Sequence, residues 1–304
     1  MNASPHSIAI TLDRVDAVWS ARFRALGGPC EVLVDGGPEG SALAAATRIA
    51  DEAWRIEQKF SRYRADSVIG TINQSAGTPV VVDTETANLL DFAALVHSLS
   101  DGMFDVTSGV LRRAWVFDGR ARVPSDADIA ALLPLIGWNR VTWQRPHLLL
   151  QPGMQLDFGG LGKEYAVDQA LRTCVAGCEL PALVNFAGDL AATAPRLDGA
   201  PWRVGIESTH ASQPQTAASC VDLYQGAIAT SGDTYRFVEA NGVRLPHILN
   251  PRTGRPIEGA PRSVTAAAAT CTQAGMLTTL AMLRGPGAEE FLRAENVRCW
   301  IQRS

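Results

Sequence analysis

The chain has 304 residues, 46% hydrophobic and 19% charged, with a net charge of −4. That is enough apolar material for a sizeable core, and the charge excludes a nucleic-acid binder that works through an overall basic surface. The opening MNASPHSIAITLDRVDAVWS has no basic start before a long apolar run, so no signal peptide is expected. No stretch reaches the roughly 18 uninterrupted apolar residues of a membrane span. The six cysteines are too scattered for a zinc site and read as reduced thiols of a cytoplasmic protein.

In chain order, residues 1–22 read as an N-terminal extension, and 23–304 as a single domain without linker or repeat. GPCEVLVDGG (28–37) is a strand ending in a turn. Residues 41–60 repeat apolar side chains at helical spacing, a polar loop follows at 61–70, and a second helix covers 84–99. Ser125 is placed to cap a short helix over 126–135. Strands are expected near 139–144 and 146–151, then a glycine-rich turn opening a helix near Lys163. Strands follow at 182–192, 202–207 and 219–224, with a hairpin around Asn241-Gly242. The last expected elements are a buried strand at 264–270 and a helix from 274 to 283.

The turn DFGGLGK (157–163) is the most informative segment. Glycines let a backbone pass close to a ligand, and a helix N-terminus offers free N–H donors and partial positive charge. Lys163 adds a full charge, so the segment suits a phosphate. Its spacing matches neither a Walker loop nor the dinucleotide fingerprint, and spacing alone also fits a tight turn with no ligand.

The residues Asp157, Gly159, Gly160, Lys163, Tyr165, Ala166, Val167 and Asp168 stand as in DLGGIAKGYAVD, a segment of the ApbE-type FAD:protein FMN transferases, which the chain resembles. Further motifs follow in family order: ALGGPCE (25–31), FSRYRADS (60–67), DGMFDVTSG (101–109), LVNFAGDL (183–190), WRVGIE (202–207), AIATSGD (227–233), HILNPRTGRP (247–256) and SVT (263–265). By residue type alone Tyr63 is a loop aromatic, His247 a structural histidine and Asp105 the organiser of a turn with Thr107. The resemblance implies more. It implies an α+β fold of mixed sheets and packed helices, with FAD in a cleft between two intimately packed halves. It implies flavin contacts from Leu26, Tyr63, Met103, Phe104, Asp105, Gly159, Lys163, Tyr165, His247 and Leu249. FMN would pass from FAD to a Thr or Ser hydroxyl of a partner protein, with release of AMP, so no nucleophile of the chain's own is needed.

The family uses Mg²⁺, held by a backbone carbonyl from the glycine-rich turn, here that of Gly162, and by an Asp and a Thr in "ADAxxT" at the start of the late helix. Here that segment reads Ala274-Gly275-Met276-Leu277-Thr278-Thr279. The Asp has become Gly275, leaving Gly162, Thr278 and Thr279 as the expected metal residues and predicting weaker metal binding. The alternative function is a non-catalytic FAD carrier or redox subunit. Gly275→Asp is expected to be tolerated, since a helix start favours negative charge. The family's Asp before Pro is Asn250 here, the family's Tyr after Ser231-Gly232 falls at Thr234, with Tyr235 one place late, and Asp189 and Asp233 are carboxylates that the sequence does not place.

Overall fold

Burial alternates along residues 18–25 and 28–35, with Phe23, Ala25, Cys30, Val32 and Val34 inward, as two neighbouring antiparallel strands with one covered face require. The computed structural model describes residues 10–75, 77–117, 122–209, 217–233, 237–240 and 243–303. In chain order its elements are Thr11–Val15 (β1), Val18–Ala25 (β2), Gly28–Asp35 (β3), Glu39–Phe60 (α1), Val68–Gln74 (α2), Val80–Val81 (β4), Thr84–Leu99 (α3) and Asp126–Leu132 (α4). Thr142–Gln144 (β5), His147–Leu149 (β6), Gly162–Val175 (α5), Ala182–Phe186 (β7), Asp189–Ala192 (β8), Trp202–Glu207 (β9) and Ala217–Leu223 (β10) follow. The chain continues through Gly226–Gly232 (β11), Phe237–Ala240 (β12), Val243–Pro246 (β13), Ser263–Ala268 (β14), Cys271–Leu283 (α6), Ala288–Ala294 (α7) and Cys299–Gln302 (β15). The fold is α+β, as the sequence implied.

The chain, expected as one domain over 23–304, clusters into two compact units. The first comprises Met1–Glu57, Leu161–Thr230 and Thr265–Gly275, the second Gln58–Gly160, Ser231–Val264 and Met276–Ser304. The strands of the first follow the order β1-β2-β3-β7-β8-β11-β14, antiparallel from β1 through β11. Thr11 pairs with Arg22, so β1 is a strand of this sheet. The helix α5 packs on β7 and β8, burying Ala166, Val167, Ala170 and Cys174. Phe23 lies edge-on to Trp54 of α1 at 5.6 Å and to Phe186 of β7 at 6.1 Å, joining helix and strands at one point.

In the second unit β4, β6 and β5 form a three-stranded sheet, and β12 pairs with β13. Asn241-Gly242, the expected hairpin turn, lies outside the described residues, as do Thr234 and Tyr235. Trp115 is buried with Leu111 and Ile129, and its indole donates to the Gly254 carbonyl at 2.7 Å. A second cluster joins Val264 to Ala281, Met282, Ala288 and Leu292. All six cysteines are free thiols, and no described helix is long and apolar enough to cross a membrane.

Candidate functional site

In the first unit the site is organised by α5. It begins at Gly162, one residue before the sequence expectation, and Leu161 at its N-cap offers no side-chain acceptor to the first turn. Gly159 and Gly160, which lead into it from the second unit, are not in left-handed backbone. What they supply is smallness: a Cβ at Gly159 would sit 3.1 Å from the Asp157 carboxylate, and one at Gly160 would lie 3.4 Å from the Phe104 ring.

Three charged residues of α5 differ in their surroundings. Lys163 is ion-paired with Asp189, the buried first residue of β8, and Asp189 Oδ1 also accepts from the Thr230 amide at 3.2 Å. Lys163 thus reaches the site already neutralised. Asp168 caps α6: its Oδ1 accepts from the Cys271 amide at 2.7 Å, and its Oδ2 from the Thr272 amide at 2.9 Å and hydroxyl at 2.6 Å. Glu164 lies one turn before Asp168 on the same face. It is only 7% exposed, and its Oε2 is buried with no hydrogen-bond partner among the described residues. Burial, then the charge of Asp189, push its carboxyl up to about 7 against the pull of Lys163. Burial would lower the Lys163 ammonium, but the charges of Asp189 and Glu164 raise it above the usual lysine value.

Gly275 is buried one turn after that cap. A Cβ there would come within 2.4 Å of Glu164 Cγ and 2.9 Å of its Oε1, so the Glu164 side chain would have to move. The expectation that Gly275→Asp is tolerated is therefore corrected: the helix start suits the charge, but Glu164 occupies the space. At the sheet end, Leu26 and Gly27 are both left-handed, at φ 55° and 74°, in the two-residue turn between β2 and β3. Gly28 touches the neighbouring turn, where an added Cβ would lie 2.7 Å from Ala187 Cβ. Tyr165 follows Glu164 on α5 and is half-buried.

In the second unit Tyr63 is 87% exposed, with the Arg62 guanidinium 5.5 Å from its ring centre. Arg62 is held by the Asp157 carboxylate at 2.7 Å and the Gly109 carbonyl at 3.0 Å. A shallow cavity of about 240 Å³ beside Tyr63 is lined by Arg62, Asn73 and Gln155, below the roughly 300 Å³ at which ligand pockets start. Asp105 is buried and organises structure: Oδ1 accepts from the Thr107 amide and hydroxyl at 2.8 and 2.6 Å, and Oδ2 from the Trp138 amide at 2.9 Å. Phe104 is buried and Met103 half-buried after the left-handed pair Asp101-Gly102.

His247 lies 6.2 Å from the Phe117 ring, and Leu249 bridges to Pro256. Between them and Gly254 the chain closes a turn in which Asn250 Oδ1 accepts from the Arg252 amide at 2.8 Å. That bond needs only a side-chain oxygen, which Asn and Asp both supply. Thr278 is buried, and Ser231 bonds it at 2.9 Å and Thr279 at 3.3 Å. Asp233 is held by Arg262 at 2.7 Å and Arg244 at 3.1 Å. No group of three His, Cys, Asp or Glu side chains gathers as a metal site among the described residues.

The ApbE family model matches residues 19–301. The chain belongs to the ApbE family. It is 31% identical to the FAD:protein FMN transferase of Vibrio cholerae over 76% of this chain and 70% of that one. It is 30% identical to the FAD:protein FMN transferase of Escherichia coli K12 over 81% and 72%. The ApbE protein structure from Thermotoga maritima superposes with a TM-score of 0.85 at 30% identity, covering 93% of this chain and 94% of that one.

Within this ApbE chain, the first unit carries Leu26, Gly162, Lys163, Tyr165 and Gly275, and the second Tyr63, Met103, Phe104, Asp105, Gly159, His247, Leu249, Thr278 and Thr279. Sequence reasoning missed Glu164, the cap formed by Asp168 and the bonds of Ser231 to both threonines. Only Asp168 left a signal, as an acidic residue one turn after Glu164.

Proposed function

We propose that the chain is a cytoplasmic FAD:protein FMN transferase. The hydroxyl oxygen of a Thr or Ser on an acceptor protein attacks the FMN phosphorus of FAD, the bond to the AMP phosphate oxygen breaks, and the hydroxyl proton is released. The observation that carries this reading is the 30–31% identity to two named transferases over 76–81% of the chain.

The chain's own residues serve binding and orientation. Tyr63 offers an exposed ring to the isoalloxazine, with Leu26, Met103 and Phe104 as further apolar contacts. Asp105 positions that segment through its bonds to Thr107 and Trp138. The first turn of α5, after Gly159, receives the phosphates through backbone N–H groups. Lys163 contributes there as part of its pair with Asp189. Tyr165, His247 and Leu249 complete the flavin contacts.

Glu164 Oε2, a buried oxygen without a hydrogen-bond partner among the described residues, supports a cation in this donor set. The Gly162 carbonyl and the hydroxyls of Thr278 and Thr279 would join in holding Mg²⁺, which when bound neutralises phosphate charge and orients the attack.

The test incubates the purified chain with FAD, Mg²⁺ and an acceptor domain carrying a flavinylation Thr. AMP release with a fluorescent acceptor band is expected. FAD binding without either product would sink the transferase reading.

A further inference from the structure

We infer that Glu164 supplies the metal-binding carboxylate that position 275 lacks, reaching from α5 the place that an aspartate on α6 would fill. This rests on the reading above that the site takes a divalent cation. It goes beyond that reading by assigning the charged ligand to a residue outside the expected set.

The first observation is the orphan oxygen. Glu164 is 93% buried by its 7% exposure, and Oε2 has no hydrogen-bond partner among the described residues. A carboxylate buried in this way is unfavourable unless something compensates it. Lys163 does so only in part, because it is paired with Asp189. Two carboxylates beside one ammonium leave an ionised Glu164 uncompensated, a charge that a bound cation would balance.

The second observation is steric. A side chain growing from Gly275 would start 2.4 Å from Glu164 Cγ and 2.9 Å from its Oε1. The Glu164 side chain therefore fills the space where a side chain of residue 275 would begin, so with Glu164 in this position residue 275 has room only for glycine.

The third observation is register. Asp168 meets α6 at Cys271 and Thr272. One turn back on α5 is Glu164, and one turn on along α6 is Gly275. A further turn along α6 on the same face is Thr279. The carboxylate thus keeps its place relative to the helix that carries the threonines, and the two-residue spacing to Gly162 on α5 is covalent.

The test titrates Mn²⁺, read by its electron paramagnetic resonance signal, into the full chain saturated with FAD and without acceptor. FAD affinity without metal and melting temperature with and without Mn²⁺ are measured alongside. Glu164→Gln keeps shape and removes charge. It should leave metal-free FAD affinity within about twofold, weaken Mn²⁺ by about tenfold or more, and abolish the Mn²⁺-induced rise in melting temperature. The double variant Glu164→Gly/Gly275→Asp should recover Mn²⁺ affinity to within about threefold of wild type.

A folded Glu164→Gln that holds Mn²⁺ as wild type does overturns the inference and leaves the transferase reading standing. If the double variant does not fold, Glu164→Gln alone decides. A wild type that binds FAD but no Mn²⁺ overturns the inference together with the metal part of the reading. One that binds neither overturns the whole reading.

Discussion

Leu26 carries a conformation that its side chain does not favour. At φ 55° it sits in the left-handed region beside Gly27 at 74°, which costs an L-residue about 1–2 kcal/mol. Two-residue turns of this kind ordinarily take Asn-Gly. The adjacent turn repeats the pattern with Ala187 at 52° and Gly188 at 98°. Strain held at one spot by an apolar residue fits a contact surface for a ligand better than a turn chosen for stability. Leu26→Asn is accordingly expected to raise stability in urea by about 0.5–1 kcal/mol and to weaken FAD binding in calorimetry. Unchanged FAD affinity would remove Leu26 from the flavin contacts.

Two caps set the helices that carry the rest. The α6 helix begins on Asp168, which satisfies two amides and a hydroxyl of its first turn. Losing such a cap costs about 0.5–2 kcal/mol, so Asp168→Ala should lower the urea midpoint accordingly. No change would mean that α6 is held by packing alone. The α3 helix begins on Asp83, whose Oδ1 accepts from the Glu85 amide at 3.0 Å and from Lys59 Nζ at 2.7 Å. Burial works to raise the Asp83 carboxyl, but the bonds from Lys59 and Thr86 outweigh it and hold it at about 2, below its ordinary 3.8. A depressed carboxyl stabilises the fold above its unfolded value and loses that contribution as pH falls toward the folded one. The stability difference between wild type and Asp83→Asn should therefore be full at about pH 6 and shrink at about pH 2.5. A difference that stays constant across that range would show the cap to be indifferent to its charge.

Over the whole molecule the net charge is −4, so long-range attraction of an anionic dinucleotide is not expected, and the proposed phosphate contact at the start of α5 has to act locally. FAD should then raise the melting temperature more than riboflavin at equal concentration, because only FAD has phosphates for that helix start. Equal shifts would remove the phosphate role. The long helices were legible because period and caps are local: 41–60 became Glu39–Phe60, and 84–99 was matched to the residue. The strand read through 182–192 is two, because Ala187 takes the left-handed turn position beside Gly188 that Asn ordinarily fills. The start of α6 was placed three residues late, since its cap comes from Asp168, 103 positions away. Likewise the motif residues could be read along the chain, whereas Glu164 could not, because its meaning lies in a neighbour that is close only in space. That neighbour also makes the two positions a single unit. With Glu164 in place, the first carbon of any side chain at 275 finds its space taken, so the pair has to be read together, and residue 275 judged alone says little about what the site can hold.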